Sequence, residues 1–246
     1  MSEPRSSAFL FGESVFTTLR VEDGKAFFAD AHRERLLKSC EWLWPESTFA
    51  ALHLLNEVKY PVSTGVWRLT LHQQGPREGA RELLLDSWFS QGIPAPKTLH
   101  LRTCDTMTRA PNWPSFVKTS DYLARMVAAR DLPPQTDPLF CVNGEMSECL
   151  YANIVFQQGN TLITPPAGPN VLAGIGVARI RNMARVNGFN WQQRVISVDE
   201  IGQFESAYAV NAVRGLIPVE SIDEHYYPSH PIPWTVREFF QSDEIH

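Results

Sequence analysis

The stretch NWPSFVKTSDYL, residues 112–123, decides how this chain is interpreted, because it sets one lysine among apolar residues. Lys118 follows Phe116 and Val117, and the helix-like run TSDYLARMVAARD begins directly after it. An amine that lies against apolar surface loses hydration, so its pKa falls and it can act as a nucleophile or a base near neutral pH. Taken alone, this stretch favours a simpler alternative, a lysine that reaches from the end of a strand to water. The other segments of the chain reverse that preference.

Composition excludes several classes of protein. The chain has 246 residues, which is enough for one large domain or two small ones. Its formal net charge is −5, so it offers no overall basic surface for nucleic acid or an anionic membrane. Four cysteines lack CxxC or zinc-type spacing, which predicts reduced thiols and no metal site. No signal peptide or membrane-spanning run is found, so we expect a cytoplasmic protein.

The first half of the chain is predicted to be rich in strands. The predicted elements are a strand over 11–20, a hairpin turn at Asp23-Gly24, a helix over 29–45 with Asp30 as its N-cap, a second helix over 48–60, and strands over 65–74 and 82–86. The stretch SWFSQGIPAP, residues 87–96, carries glycine and proline and is typical of a connection between domains. We therefore expect an N-terminal α/β domain over 1–90 and a C-terminal mixed α/β domain over 91–246.

The second half contains a helix that begins at glycines. Gly174-Ile175-Gly176 precedes a helical run that Gly188 ends in the C′ position. Such a start exposes backbone N–H groups at the positive end of the helix dipole, which suits a phosphate, although a plain tight turn is the commoner explanation. The segment AVRGLIPV, residues 212–219, is predicted as a loop with a second set of N–H groups. Other predicted elements are a strand over 97–103, a strand and turn over 139–148, a hairpin over 153–166, a strand over 207–211 and a closing helix over 232–241.

These pieces suit a phosphorylated aldehyde cofactor. Lys118 is the amine that would bind the aldehyde, and Arg35 lies at the border of the apolar and polar faces of its helix. A carboxylate, Glu148, comes just before a strand, where it could pair with a protonated ring nitrogen. Each feature is weak alone, since an arginine at a helix border is more often a solvated surface charge.

Taken in order, the segments resemble the class IV aminotransferase family, the fold-type IV enzymes that use pyridoxal 5′-phosphate (PLP). The resemblance covers about residues 9–222 and rests on FGESVFTTLRVEDG at 11–24, HRERL at 32–36, SFVKTSDYL at 115–123, GEMSECLYANIVF at 144–156, VLAGIGVARI at 171–180 and NAVRGLIPV at 211–219. It implies an α/β (α+β) fold of two domains with the cofactor between them, and a homodimer. It also implies Lys118 as the Schiff-base lysine, Arg35 on the phosphate, Glu148 on the pyridine nitrogen, and phosphate-binding N–H groups from Ile175, Gly176, Ala212 and Val213.

Departures from the family pattern indicate the activity. Many transaminases of the family have a glutamate in the opening strand after the aromatic residue, whereas this chain has Thr17 after Phe16, as the lyases do. The phosphate segment has Gly176 and Val177 where threonine and arginine are usual. Asp121 takes the place of a frequent asparagine, next to Tyr122, which could reach the cofactor hydroxyl or pack as a core residue. The stretch before residue 9 is shorter than in the family pattern, so we expect the family's first strand to be absent.

The resemblance implies a lyase that converts 4-amino-4-deoxychorismate to 4-aminobenzoate and pyruvate. The alternative is an aminotransferase for D-amino acids or branched-chain L-amino acids, and a third hypothesis is a PLP-binding protein without turnover. A substrate with carboxylates needs cations, for which Arg214, Arg109 and Arg77 are candidates, each with a plain surface charge as the alternative.

Overall fold

A computed structural model describes residues 6–75, 81–93, 96–228 and 234–241 of the chain. Contacts divide the chain into two compact units. The first unit consists of the described residues of Met1–Ile93 and Phe116–Tyr122, and the second of those of Pro94–Ser115 and Leu123–His246. The predicted boundary between two domains at residues 90 and 91 stays a prediction. No helix within the described ranges is long and apolar enough to cross a membrane.

The first unit is a four-stranded antiparallel sheet covered by two helices. Its elements are α1 (Ser7–Phe11), β1 (Ser14–Glu22), β2 (Lys25–Ala26), α2 (Ala29–Leu43), α3 (Thr48–Asn56), β3 (Gly65–Gln73) and β4 (Leu83–Gln91). The strand order is β2-β1-β3-β4. Leu36 and Cys40 of α2 and Leu55 of α3 bury their side chains with Val15 and Leu71 of the sheet, so apolar burial holds the helices on one face.

Three details of the first unit differ from the sequence prediction. The N-cap of α2 is Phe28, in a left-handed conformation (φ 55°), and Asp30 lies in the first turn, where a carboxylate still favours the helix dipole. Strand β1 begins at Ser14, after the unpredicted helix α1. Strand β4 pairs with β3 as far as Ser90, so the first residues of the expected connection over 87–96 are strand. The hairpin at Asp23-Gly24 is confirmed, with φ of 48° and 80°.

The segment that carries Lys118 joins the edge of this sheet. The backbone N–H of Phe16 donates to the Lys118 carbonyl at 2.9 Å, and the N–H of Ser120 donates to the Ser14 carbonyl at 3.2 Å. Because β3 occupies the other edge of β1 over the same residues, the segment Phe116–Tyr122 runs along the free edge. The lysine is thus held by backbone pairing although it lies far from β1 in sequence.

The second unit is a nine-stranded mixed sheet that closes on itself. Its elements are β5 (Leu99–Asp105), α4 (Leu123–Ala129), β6 (Thr136–Val142), β7 (Glu145–Cys149), β8 (Asn153–Gln158), β9 (Thr161–Thr164), α5 (Ile175–Val186), β10 (Asn190–Gln193), β11 (Ser206–Asn211), β12 (Gly215–Ile222), β13 (His225–Tyr226) and α6 (Val236–Phe240). The order is β10-β9-β8-β11-β12-β5-β6-β7, with β13 on β12. Strand β7 also pairs with β8 through Glu148 and Asn153, which closes six strands into a barrel.

Most of the predicted elements of the second unit are present. The turn at Asn143-Gly144 has φ of 55° and 77°, and Gly188 follows α5 with φ 75°. The helix expected over 119–131 is shorter, because the backbone as far as Ser120 pairs with β1 and α4 begins only at Leu123. The predicted loop over 212–219 is strand from Gly215 onward, since β12 pairs with β11 and β5. Residues 232 and 233 of the closing helix lie outside the described ranges.

Candidate active site

Lys118 lies among aromatic side chains of the first unit. It is half-buried, and the neighbouring Val117 is fully buried. The Lys118 Nζ donates a hydrogen bond of 2.8 Å to the Tyr122 hydroxyl and lies 4.8 Å from the centre of the Phe16 ring. Phe16 and Tyr122 meet edge to face with their centroids 5.7 Å apart. The contact with apolar surface predicted from the sequence is therefore present, and the amine also has a polar neighbour.

Thr17 connects a buried histidine to the predicted phosphate-binding arginine. Its hydroxyl lies 2.6 Å from His32 Nδ1 and accepts a hydrogen bond of 3.0 Å from a terminal nitrogen of Arg35. Burial, with smaller contributions from the charges of Arg35 and Lys118, lowers the pKa of His32 well below its usual range, so this imidazole is neutral. Its Nε2 is buried without a hydrogen-bond partner among the described residues. Residues Thr17, His32, Arg35, Lys118 and Tyr122 are named here the lysine group.

A second arginine adjoins this group and was missed by sequence reasoning. The guanidinium carbon of Arg68 lies 3.6 Å from the Phe16 ring centre, and one terminal nitrogen donates to the Ser120 hydroxyl at 2.7 Å. Burial lowers the pKa of Arg68, although a guanidinium remains charged. The available signal was an arginine inside an alternating strand, on the face that also carries Phe16 in the neighbouring strand.

Glu148 is buried where the barrel of the second unit closes. Its side chain is 5% exposed. One carboxylate oxygen, Oε2, accepts a hydrogen bond of 2.9 Å from the Leu172 N–H, and the other, Oε1, pairs with the guanidinium of Arg125. Asn153, the strand partner of Glu148, donates from its amide to the Leu172 carbonyl at 3.0 Å. The loop that leads to α5 is thus tied to the two residues that close the barrel. Glu148, Arg125, Leu172 and the start of α5 are named here the carboxylate group.

The start of α5 is a close fit of backbone on backbone. A Cβ on Gly176 would lie 2.9 Å from the Asn211 carbonyl carbon, and one on Gly174 would lie 1.9 Å from Asn153 Oδ1. At Gly176 the neighbouring atoms are backbone, so glycine is required there, whereas the atom next to Gly174 is the end of the Asn153 side chain. Gly174 is the N-cap and has no side chain to cap the helix, so the first-turn N–H groups of Ile175 and Gly176 receive no side-chain cap.

The second predicted phosphate segment forms a local turn. The N–H groups of Val213 and Arg214 donate to Asn211 Oδ1 at 2.9 and 2.8 Å, and Ala212 is buried. A phosphate that used the Val213 N–H would therefore take the place of the Asn211 side chain. This turn lies beside α5, because the backbone of Asn211 is the surface that Gly176 contacts.

The three arginines suggested for substrate carboxylates have different surroundings. Arg109 is 7% exposed, and its guanidinium donates to the carbonyls of Pro169 and Pro114 at 3.1 and 2.9 Å, which ties two loops together. Arg214 is half-buried, and its charge acts on Asp137, whose pKa burial raises and Arg214 partly lowers. Arg77 lies outside the described residues. Asp121 is exposed.

The structure brings the predicted residues together within each unit. The first unit gathers Lys118 with Thr17 and Arg35, and the second brings Glu148, Ile175 and Gly176 near the turn of Ala212 and Val213. Their roles toward a cofactor stay proposals. The first unit thus holds a half-buried amine, and the second holds a buried carboxylate and a helix start without a side-chain cap.

This chain belongs to the class IV aminotransferase family: the family model described as amino-transferase class IV matches residues 14–222. Members of the family are PLP-dependent enzymes, and the fold is that of fold type IV. The protein is thus a PLP-dependent enzyme, as the resemblance of its motifs predicted. The particular reaction is a separate question, because the relatives carry different activities.

Three relatives illustrate this range. Branched-chain amino acid aminotransferase 1 from Humulus lupulus is 32% identical over 149 residues, a match that covers 56% of this chain and only 36% of that protein. Aminodeoxychorismate lyase from Bacillus subtilis is 22% identical over 245 residues, with 92% of this chain and 83% of that protein covered. The crystal structure of 4-amino-4-deoxychorismate lyase from Pseudomonas aeruginosa is similar with a TM-score of 0.79 and 20% identity, covering 97% and 93% of the two chains, which shows the fold alone.

Proposed function

We propose that this protein is a lyase that converts 4-amino-4-deoxychorismate to 4-aminobenzoate and pyruvate. Thr17 is the observation that carries the proposal. The hydroxyl of Thr17 is bonded to His32 and Arg35 at the strand position where many transaminases of the family have a glutamate. A neutral hydroxyl leaves this position without the negative charge that would oppose a substrate with two carboxylates. The match to the Bacillus subtilis lyase over most of both chains supports the same activity.

The proposed roles follow from the two groups of residues. PLP, when bound, supplies an aldehyde that captures a primary amine and a ring that accepts an electron pair. Arg35 and the N–H groups of Ile175, Gly176, Ala212 and Val213 hold the phosphate, and Glu148 accepts a hydrogen bond from the ring nitrogen. These contacts orient the cofactor and keep its ring electron-poor.

Lys118 is the proposed acid and base. Its Nζ removes the proton from the substrate carbon that bears the amine, and it returns a proton to the three-carbon fragment that leaves as pyruvate. The C–O bond to that fragment breaks, its electron pair leaves with the fragment, and the ring that remains becomes aromatic. Tyr122 accepts a hydrogen bond from Nζ at 2.8 Å, which holds the amine in one position between transfers.

Arg68 and Arg214 are the proposed partners of the substrate carboxylates. Arg68 lies beside Phe16 and Ser120 in the first unit, with burial that strengthens its attraction to an anion. Arg109 is a poorer candidate than the sequence suggested, because its guanidinium already donates to two carbonyls.

The second candidate is an aminotransferase for branched-chain L-amino acids or D-amino acids. The higher identity to the Humulus lupulus aminotransferase, 32%, favours it over the stretch that matches. It would use the same lysine and carboxylate but pass an amine to a keto acid.

The test is to mix the PLP-loaded protein with 4-amino-4-deoxychorismate, without any amino acid, and to follow 4-aminobenzoate and pyruvate. We expect equal release of both products, abolished in Lys118→Ala and kept in Lys59→Ala, since Lys59 is an exposed lysine of the same unit. No release from a protein with visibly bound cofactor would refute the lyase. Bleaching of the cofactor absorbance by a donor amino acid alone would then establish the aminotransferase, and its absence would leave a binding protein without turnover.

The proposal extends to the setting of the enzyme. The product 4-aminobenzoate is a folate precursor, so we propose a role in folate biosynthesis, in the cytoplasm, where the four free thiols stay reduced. We also propose a homodimer, supported by large apolar side chains exposed on the first unit, among them Phe49 and Trp88. Sedimentation of the purified protein tests the dimer, which a monomer at micromolar concentration would contradict.

A further inference from the structure

Arg125 is a buried arginine to which neither the sequence motifs nor the proposed reaction gives a role. It lies in α4 and is 5% exposed, and its guanidinium forms several hydrogen bonds around Glu148. One terminal nitrogen donates to Glu148 Oε1 and, at 3.0 Å, to the Thr108 hydroxyl. The other donates to the carbonyls of Cys149 and Leu150 at 3.1 and 3.2 Å. The guanidinium therefore donates hydrogen bonds both to the side chain of Glu148 and to the backbone directly after it.

The Glu148 carboxylate is held in place and can still accept a further hydrogen bond. Each carboxylate oxygen has two acceptor positions. Arg125 uses one on Oε1, and the Leu172 N–H uses one on Oε2. These bonds hold the carboxylate from two sides, and among the residues that the structure describes they take one acceptor position on each oxygen. A carboxylate held in this way meets a ring N–H without having to reorganise.

We propose that Arg125 is a positioning residue that orients Glu148 toward the ring nitrogen of the cofactor. The inference rests on the role proposed above for Glu148, and it does not depend on whether the enzyme is a lyase or an aminotransferase. Arginine suits this task because its planar fork bonds a carboxylate and neighbouring carbonyls at once, whereas a lysine offers a single point charge.

Arg125 also has a position in the chain that matters for the site. It follows Lys118 by seven residues, in the first helix after the segment that pairs with β1. The bonds to Cys149, Leu150 and Glu148 therefore anchor α4 to the end of the strand that bears the carboxylate. Orientation of Glu148 and anchoring of α4 come from one side chain.

The test compares PLP with an analogue in which the ring nitrogen is replaced by C–H. The full chain is freed of cofactor with hydroxylamine and titrated with each compound, and Kd is read from the absorbance of the bound cofactor. We expect Arg125→Gln to weaken PLP binding about tenfold, the worth of a charge-assisted hydrogen bond, while binding of the analogue changes less than about twofold. The readout is the ratio of the two dissociation constants, because a merely structural role lowers both affinities together and leaves that ratio unchanged.

Arg125→Lys is the second variant, because Arg125→Gln leaves a buried carboxylate without its cation and so destabilises the fold. Lysine keeps the charge but loses the fork, so we expect it to restore part of the discrimination between the two compounds. Arg109→Gln is the matched control: it removes another buried arginine of the second unit, one that donates to two carbonyls. The control should leave the ratio at the wild-type value even if both affinities fall.

The outcomes separate the inference from the assignment beneath it. The preference for PLP over the analogue could stay at the wild-type value in Arg125→Gln and disappear in Glu148→Gln. That result would overturn the role of Arg125 and keep that of Glu148. A ratio unchanged in Glu148→Gln would overturn the assignment of Glu148, and the inference with it. We expect both Arg125→Gln and Glu148→Gln to reduce the preference for PLP over the analogue, and Arg125→Lys to recover part of it.

Discussion

The lysine group and the carboxylate group are fixed by different means. In the first unit the functional side chains hold one another: Thr17 bonds both His32 and Arg35, and Lys118 bonds Tyr122. In the second unit the backbone takes a larger part, through the close contact of Gly176 with Asn211 and the N–H of Leu172, beside the one side-chain bond from Arg125 to Glu148. A site of the first kind should change its chemistry when one side chain changes. A site of the second kind should lose its fit when backbone spacing changes.

The largest expected effect tests the first half of this comparison. Lys118→Ala removes the only amine of the lysine group, so we expect loss of at least about 10³-fold in product release, the scale of general acid–base and nucleophilic roles combined. The fold should persist, because the backbone pairing of Phe16 and Ser120 does not involve the side chain. Circular dichroism and thermal unfolding check the fold. Activity within tenfold of the wild type would show that another group moves the proton.

Gly176→Ala tests the second half of the comparison, the dependence of the carboxylate group on backbone spacing. An added methyl would lie 2.9 Å from the Asn211 carbonyl carbon and 3.1 Å from Val210 Cγ1, so the backbone must shift. Overpacking of this kind costs about 1–3 kcal/mol, which we expect as a weakening of PLP binding of about tenfold or more. Gly188→Ala is the control, since a Cβ there meets no atom within 4 Å and is disfavoured only by its positive φ. Equal PLP affinity in Gly176→Ala and the wild type would mean that the helix start does not hold the phosphate.

Thr17 tests the lysine group at a single atom, because its hydroxyl forms both the bond to His32 and the bond to Arg35. Thr17→Val keeps the shape but breaks the bonds to His32 and Arg35, and we expect about a tenfold loss of lyase activity from the disturbed arginine. Thr17→Ser keeps the hydroxyl and should stay within about threefold of the wild type, less than the cost of a lost hydrogen bond. Equal activity of the valine and serine variants would show that the hydroxyl has no role.

The smallest effect concerns pH. His32 is neutral in the folded protein because its pKa is lowered, whereas the unfolded chain takes up a proton near pH 6.5. The unfolded state therefore binds more protons below that pH, and the contribution to stability present above pH 6.5 is lost as the pH falls. Between pH 7.5 and 5.5 we expect a loss of about 1 kcal/mol from this group, measured by urea unfolding and absent in His32→Asn. His53→Asn, at an exposed histidine, should keep the wild-type dependence.

The sequence predicted what depends on neighbours in the chain and on the order of motifs. The turns at Asp23-Gly24 and Asn143-Gly144 were predictable because Asp-Gly and Asn-Gly favour positive φ. Arg68 and Arg125 were not, since their partners Ser120 and Glu148 lie 52 and 23 residues away. The N-cap at Phe28 was missed as well, because an aromatic residue adopts the left-handed conformation only under tertiary constraint. The turns and the order of motifs were therefore easier to anticipate than side-chain contacts between distant parts of the sequence.

The closure of the barrel has a thermodynamic consequence. Strands β7 and β8 share one residue pair, Glu148 with Asn153, and both side chains of that pair bond to Leu172. A ligand that engages Glu148 acts on the narrowest join of the barrel, so each opening of that join must first release the ligand. Saturation with cofactor should therefore slow hydrogen exchange at Leu172 and along β7 and β8 more than elsewhere in the second unit. Cofactor occupancy would then set how long this unit survives proteolysis, and vitamin B6 supply would bear on the abundance of the protein as well as on its activity.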